Sequence, residues 1–170
     1  MPAARIRPLS WLMLGLVPAA AVVAMFAIAV HSSSIAADFH NELYPQAELM
    51  LDGIDPYPSP DSDLSGVGNF VWPPLAVFVA APATLLPVDA ADIVVAIVGL
   101  LCMALALLVV GVRDWRVYGA TALWPPVIGE MRTAHFTLAL CLLAALAWVG
   151  RRRDASGVAT GLAVSLKFFL

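Results

Sequence analysis

Charged residues are scarce in this sequence. Only 12% of its 170 residues are Asp, Glu, Lys or Arg, whereas 62% are hydrophobic and the mean hydropathy is +0.91. A soluble domain of this length would need more polar surface than such a composition provides. The composition therefore excludes an ordinary soluble domain and indicates a protein whose solvent is a lipid bilayer.

Basic residues are missing from a long part of the chain, since no Lys or Arg occurs between Arg7 and Arg113. Seven of the twelve acidic residues, in contrast, lie between Asp38 and Asp63. Nucleic-acid binding requires a basic surface that faces the phosphates, and the longest polar segment here is acidic. We therefore expect no nucleic acid among the partners.

Cysteine is rare as well. Cys102 and Cys141 are far apart in apolar segments, without the neighbouring His or Cys that a zinc site needs, and they do not suggest a disulfide framework. Asp61 and Asp63 have the Asp-x-Asp spacing of some metal-binding motifs, but they lie in a segment rich in Pro, Ser and Gly, which is typical of a solvated turn. The sequence predicts no metal and no cofactor.

Apolar segments that can cross a membrane follow one another along the chain. A span needs about 20 apolar residues, and the hydropathy predicts spans at residues 11–30, 90–112, 118–128, 133–149 and 157–170. The first could be a cleaved signal peptide, but its length favours an uncleaved anchor. The predicted fold class is all-α, a multi-pass transmembrane protein with about five spans, some of them short or interrupted, in a single membrane domain. Because nothing polar ends the last span, we expect residues 1–170 to be the N-terminal part of a longer protein.

Basic residues predict the orientation, because Lys and Arg favour the cytoplasmic ends of membrane spans. They cluster before the first span, at residues 113–116 and at residues 151–153. All three clusters face the cytoplasm if the proline-rich residues 72–87 form an interfacial or re-entrant segment instead of a full crossing. The N-terminus is then cytoplasmic, the protein lies in the plasma membrane, and residues 31–89 form the first extracytoplasmic loop.

This first loop carries the residues best suited to chemistry. Asp38, His40 and Glu42 follow the first span by a few residues, where a carboxylate can reach a lipid-borne substrate. A helical repeat of apolar residues predicts an amphipathic helix that lies on the bilayer and ends at Gly53. The apolar residues of this repeat are Leu43, Ala47, Met50 and Leu51.

Trp72 precedes two prolines at the start of the proline-rich segment. Tryptophan is enriched at membrane interfaces, and proline is favoured in the first turn of a helix. We therefore interpret Trp72 as an interfacial anchor before a helix, although stacking on a lipid-linked sugar is an alternative.

Five short motifs follow one another along the chain. They are Asp-Phe-His at residues 38–40, Gly-Ile-Asp-Pro-Tyr-Pro at 53–58, Phe-Val-Trp-Pro-Pro-Leu at 70–75, Arg-Asp-Trp-Arg at 113–116, and Gly157 through Gly161 to Lys167. Their order and spacing resemble those of glycosyltransferase family 87, and the resemblance extends along nearly the whole chain. The members of this family are membrane enzymes of the GT-C class, many of them actinobacterial mannosyltransferases.

The resemblance implies transfer of a sugar, usually mannose, from a polyprenyl-phosphate donor to a hydroxyl of a glycan or glycolipid acceptor on the extracytoplasmic side. By this analogy Asp38 is the general base. Lys167 matches the family's lysine position and would bind the donor phosphate, and the placement of Arg132 near the outer end of a span suggests the same role. Possible substrate-binding residues are His40, Glu42, Tyr57 and His135.

The chain departs from the family pattern at residues 129–135. A Gly-Gln-x-Asn-like or Gly-Asn-Thr-like element is usual there, whereas this sequence reads Gly-Glu-Met-Arg-Thr-Ala-His and places His135 where an amide is expected. A non-enzymatic membrane subunit, a transporter fragment or an inactive truncated glycosyltransferase remain alternatives. A transporter would place ionisable groups within its spans, but here they cluster in the loop, and Lys167 is interpreted as the one clear charge inside a span.

Overall fold

The computed structural model describes residues 10–57 and 72–167, and every regular element in these two ranges is helical. The predicted all-α fold is confirmed for this part of the chain. A π-helical turn (Phe39–Leu43) precedes the second helix and a 3-10 turn (Ala81–Leu85) follows the third. The helices are α1 (Leu12–His31), α2 (Tyr44–Leu51), α3 (Pro74–Ala80), α4 (Val88–Val109), α5 (Trp115–Ala122), α6 (Pro125–Thr133), α7 (Thr137–Val149) and α8 (Asp154–Leu166).

Two of these helices, α1 and α4, are long and apolar enough to cross a membrane. They agree with the predicted spans at residues 11–30 and 90–112. Little of either helix is buried inside the protein, and large apolar side chains such as Val23, Ile28 and Leu101 are exposed. Exposed apolar side chains at this density suit lipid better than water, so these helices indicate a membrane protein.

The main core lies beside the loop that follows α1, not between the long helices. The largest fully buried side chains are Phe39, Leu43 and Val77. Leu43 and Ala47 pack in one cluster with α3, so protein covers this part of the apolar face of α2, which the prediction placed on the bilayer. Leu51, on the same predicted face, is 60% exposed.

The end of α2 agrees with the prediction from Gly53. Gly53 has a φ of +74°, its N–H donates to the Met50 carbonyl at 3.1 Å, and the Ile54 N–H donates to the Leu49 carbonyl at 2.9 Å. This pair of hydrogen bonds is the Schellman arrangement, which needs a left-handed residue and favours glycine there. The chain then turns, and the Asp55 carboxylate accepts from the Tyr57 N–H at 2.9 Å.

The proline-rich segment begins and ends beside the same short stretch of the first loop. At its start, the Trp72 indole N–H donates to Glu42 Oε2 at 2.6 Å, and at its end the Leu86 carbonyl accepts from the Tyr44 hydroxyl at 2.9 Å. The helical part of the segment, Pro74–Leu85, is shorter than a membrane crossing requires. The segment therefore returns to the end of the helix bundle from which it starts.

The predicted span at residues 118–128 is interrupted. α5 ends at Ala122 and α6 begins at Pro125, with Trp124 in an extended conformation (ψ 131°) between them. A residue that precedes proline is driven out of the helical region by the proline ring, so the pair of prolines at 125 and 126 breaks the helix. The predicted span at residues 157–170 also differs, because α8 ends at Leu166 and Lys167 is extended.

Aromatic and glycine contacts join α5 to the start of α1. The rings of Trp11 and Trp115 stack with centroids 4.1 Å apart. Gly119 packs so tightly that a Cβ there would lie 2.5 Å from the Leu14 carbonyl oxygen. The two basic residues Arg113 and Arg116 thus flank the end of the bundle at which α1 begins, opposite the end at which α1 leads into the first loop.

This packing gives a prediction for Gly119→Ala. The added methyl group would collide with backbone of α1, so we expect a loss of about 1–3 kcal/mol of stability, as for other overpacked interiors. The measurement is thermal unfolding in detergent, followed by circular dichroism. Gly157→Ala in α8 is the matched control, since a Cβ there meets nothing within 4 Å; equal midpoints for the two variants would contradict the proposed packing.

Candidate active site

The loop after α1 is fixed to α6 by its backbone. Ala36 is fully buried, has a φ of 50°, and donates its N–H to the Met131 carbonyl at 3.2 Å. The His40 N–H, inside the π-helical turn that follows, donates to the Ala36 carbonyl at 2.8 Å. Asp38 lies between these two anchored positions, so the loop holds its carboxylate beside the segment that joins α6 to α7.

Asp38 pairs there with His135, through Asp38 Oδ2 and His135 Nε2. Both residues that flank His135 have left-handed backbone, with φ of 56° at Ala134 and 62° at Phe136. Such conformations are unfavourable for residues with a Cβ and persist where surrounding contacts enforce them, often at functional sites. The Asp38 side chain is 32% exposed, so a substrate can reach its carboxylate.

Trp72 is buried next to this pair, with 8% of its surface exposed. Its ring lies 5.6 Å from the His135 ring and meets the Phe136 ring edge to face at 6.0 Å. The Lys167 ammonium lies over the same indole, 5.9 Å from the ring centroid, within the range of a cation–π contact. The interpretation of Trp72 as an interfacial anchor is therefore wrong, because the side chain is enclosed by protein groups.

Two polar groups of the first loop fix Trp72 in place. Glu42 accepts from its indole N–H, as described above, and the Tyr57 hydroxyl donates to its carbonyl at 2.9 Å. Burial, with a smaller contribution from Asp55, raises the pKa of Tyr57 above its ordinary value. The phenol therefore stays protonated at neutral pH and keeps its proton for this hydrogen bond.

Five of the seven predicted site residues are thus linked by contacts to Trp72 or to its neighbour His135. We call this group the Trp72 cluster, and its members are Asp38, Glu42, Tyr57, Trp72, His135 and Lys167. Arg132 is exposed, and the described part of the chain provides no ion-pair partner for it. It follows Met131, the residue that accepts from Ala36, so its backbone borders the cluster.

His40 turns away from the Trp72 cluster. Its Nδ1 lies 2.7 Å from Oδ2 of Asp92, a buried residue in the second turn of α4. Asp92 was missed in the sequence, although an acidic residue inside an apolar span is a signal of function. The interpretation of Lys167 as the one clear charge inside a span is therefore wrong. Asp61 and Asp63, the other acidic pair considered, lie outside the described residues.

An apolar cavity of about 300 Å³ opens beside the Trp72 cluster. It lies between the proline-rich segment, α4 and α7, and both residues that flank His135 line it. Glu130 is its buried acidic group, and Glu130 Oε1 accepts from the Thr137 N–H at 2.6 Å. A carboxylate at the first N–H of α7 satisfies an otherwise unpaired helix-end donor and interacts favourably with the helix dipole. The cavity therefore has apolar walls and one polar end, which lies beside His135.

Comparison with known proteins gives one family. The model of glycosyltransferase family 87 matches residues 70–169, which is more than half of the chain and includes Trp72, His135 and Lys167. Searches of curated proteins and of solved structures gave no match.

The buried indole gives a prediction for Trp72→Phe. Phenylalanine keeps the ring but removes the N–H, which leaves the partly buried Glu42 carboxylate without this donor. We expect a loss of about 1–3 kcal/mol in the free energy of unfolding, measured by thermal unfolding in detergent. Trp124→Phe is the control, because Trp124 is 59% exposed. An equal effect in both variants would show that the Glu42 hydrogen bond adds nothing.

Proposed function

Because this chain belongs to glycosyltransferase family 87, we propose that it is a GT-C-type membrane enzyme that transfers mannose from a polyprenyl-phosphate donor. The acceptor is a hydroxyl of a glycan or glycolipid on the extracytoplasmic side. One observation carries the proposal: a reachable carboxylate, Asp38, lies beside an indole and a lysine at one end of an apolar helix bundle.

Asp38 is the proposed general base. The acceptor oxygen attacks the anomeric carbon of the donor sugar, the bond from that carbon to the phosphate oxygen breaks, and the phosphate leaves with the bonding electrons. The acceptor proton passes to the Asp38 carboxylate as the new glycosidic bond forms. A positioned base of this kind contributes typically about 10² to 10⁴ in rate.

His135 is the proposed positioning partner of Asp38. Its Nε2 faces the carboxylate, and left-handed residues on both sides determine the direction of the ring. An imidazole N–H that donates to a carboxylate restricts its rotation, so one oxygen is held by His135 and the other can face the acceptor. This arrangement gives a reason for a histidine at the position where the family pattern has an amide.

The donor phosphate needs cationic partners, and Lys167 and Arg132 are the proposed ones. Lys167 already lies against the Trp72 ring, where a cation–π contact holds the ammonium without neutralising it. Arg132 is exposed next to the residue that anchors the loop, and a guanidinium can bind two phosphate oxygens at once. Both cations offset the negative charge that Asp38 and Glu42 bring to the cluster.

The apolar cavity supports a lipid-linked donor. Its walls are aliphatic and aromatic, and it begins at the residues that flank His135. An isoprenoid chain in this cavity would leave its phosphate and sugar at the polar end, beside the proposed base. We propose that Glu42, Tyr57 and His135 contact the sugar or the acceptor. His40 turns away from them and would affect the site only indirectly, through its bond to Asp92.

The proposed topology places the Trp72 cluster outside the cytoplasm. With five spans and a cytoplasmic N-terminus, α1 carries the chain outward to the first loop and α4 carries it back. Arg113 and Arg116 then flank the cytoplasmic end, where α5 packs on the start of α1. The direction of α7 brings residues 151–153 toward the same end, as the bias of basic residues toward the cytoplasm requires.

The base assignment predicts the effect of Asp38→Asn. The amide cannot accept the acceptor proton, so we expect transfer to fall by about 10² to 10⁴ while donor binding is retained. The measurement is transfer of labelled mannose from polyprenyl-phosphate mannose, in membranes that contain equal amounts of full-length wild type or variant. Asp52→Asn, an exposed carboxylate at the end of α2, is the control. Undiminished transfer in Asp38→Asn would remove Asp38 from the mechanism.

The phosphate-binding assignment predicts a different kinetic signature for Lys167→Gln. The loss of one charge-assisted contact to the donor corresponds to about 1.5 to 3 kcal/mol, so KM for the donor should rise and Lys167→Arg should retain part of the affinity. Arg152→Gln, in the cluster assigned to the opposite end of the bundle, should not change this KM. If Lys167→Gln and Arg152→Gln have the same donor KM, Lys167 does not bind the phosphate.

A further inference from the structure

Three potential metal ligands converge between the first loop and α4. The Nδ1 or Nε2 of His40 and one carboxylate oxygen each from Asp89 and Asp92 lie within 4.8 Å of one another. Asp89 and Asp92 are three residues apart on α4 and therefore share one face of the helix. His40 approaches this face from the π-helical turn, so two separate parts of the chain supply the set.

The carboxylate of Asp92 lacks one of its partners. Its side chain is only 5% exposed, its Oδ2 contacts His40, and its buried Oδ1 has no hydrogen-bond partner in the described part of the chain. A buried carboxylate oxygen without a donor is strongly unfavourable. The negative charge of Asp89 one turn away adds repulsion. Both features are costs that a bound cation would offset.

We propose that His40, Asp89 and Asp92 bind a divalent transition-metal cation of the Zn²⁺ or Mn²⁺ type. Carboxylates alone suit Mg²⁺ and Ca²⁺, but a ligand set that includes an imidazole favours first-row transition metals. A carboxylate can coordinate through both oxygens, which would satisfy Oδ1 of Asp92 as well as Oδ2.

The surroundings leave room for such a cation. A cleft of about 390 Å³ borders all three residues and is lined also by Ser33 and Asn41. Water from this cleft can complete the coordination sphere, because three protein ligands leave positions open. Asp89 is exposed at the rim, so its side chain can turn toward an ion bound at His40 and Asp92.

The cation has a positioning role. It joins the π-helical turn to α4, and this turn begins directly after Asp38. A metal at His40 would therefore hold the loop in the conformation in which Asp38 reaches His135. The metal itself would not contact the sugar in this arrangement. The metal site itself is independent of the proposed transfer reaction, since it rests only on the geometry of the three ligands, whereas its positioning role rests on the proposed function.

Direct metal binding tests this site without any sugar substrate. The full-length protein is purified in detergent, freed of metal with a chelator, and titrated with Zn²⁺ and with Mn²⁺ in a calorimeter. We expect one equivalent to bind to the wild type. Affinity should fall at least about tenfold in Asp89→Asn and in Asp92→Asn, because even the loss of an outer partner weakens metal sites by this amount. Asp52→Asn is the matched control and should bind as the wild type does.

Thermal unfolding supplies the second readout. The added metal should raise the unfolding midpoint of the wild type and of Asp52→Asn, but not that of Asp89→Asn. Because Asp89 is exposed, we expect Asp89→Asn to fold normally, so a missing shift would reflect lost metal binding and not misfolding. No binding by the wild type, or equal binding by wild type and both site variants, would overturn the proposal. The proposal would also be overturned if the protein bound Ca²⁺ but neither Zn²⁺ nor Mn²⁺, and if Ca²⁺ binding persisted in His40→Gln. That result would indicate only an acidic surface.

Discussion

A contact between two distant parts of the chain determines where the candidate site forms. The Ala36 N–H donates to the Met131 carbonyl, and two residues later Asp38 pairs with His135. These residues are about a hundred positions apart in sequence, so the contact exists only after the helices have packed. Without it, Asp38 would be a solvated carboxylate after a membrane span. With it, the carboxylate has a defined partner and a defined direction toward Trp72.

The contact depends on unfavourable backbone conformations at three residues. Ala36, Ala134 and Phe136 all have left-handed φ values although each carries a Cβ, at a cost of about 1–3 kcal/mol each. The packing around them offsets this cost, since Ala36 and the neighbouring Phe39 are fully buried. The same fold therefore explains two observations together: a dense core beside the first loop, and a histidine whose ring is directed at the proposed base.

The sequence predicted the long helices well because about 20 consecutive apolar residues have few alternatives to a membrane helix. It also predicted the end of α2, since Gly53 supplies the conformation that this helix end requires. The order of family motifs identified Asp38, Lys167 and His135 as candidates, although it gave no contacts between them. The burial of Trp72 and the protein-covered face of α2 were not predicted, because hydropathy reveals an apolar face but not whether lipid or protein covers it.

Asp92 shows why the remaining part of the site escaped prediction. A bilayer offers no hydrogen bonds to a buried polar group, so each such group in this chain must find a partner within the protein. Glu130 finds the Thr137 N–H at the start of α7. Asp92 finds His40 for one oxygen and no described group for the other. Neither pairing could be predicted from the sequence, because the Thr137 N–H is unpaired only if α7 begins at that residue, and His40 reaches Asp92 only in the packed bundle. The acidic residue inside α4 was visible in the sequence, and the cation proposed above would offset the cost of burying it.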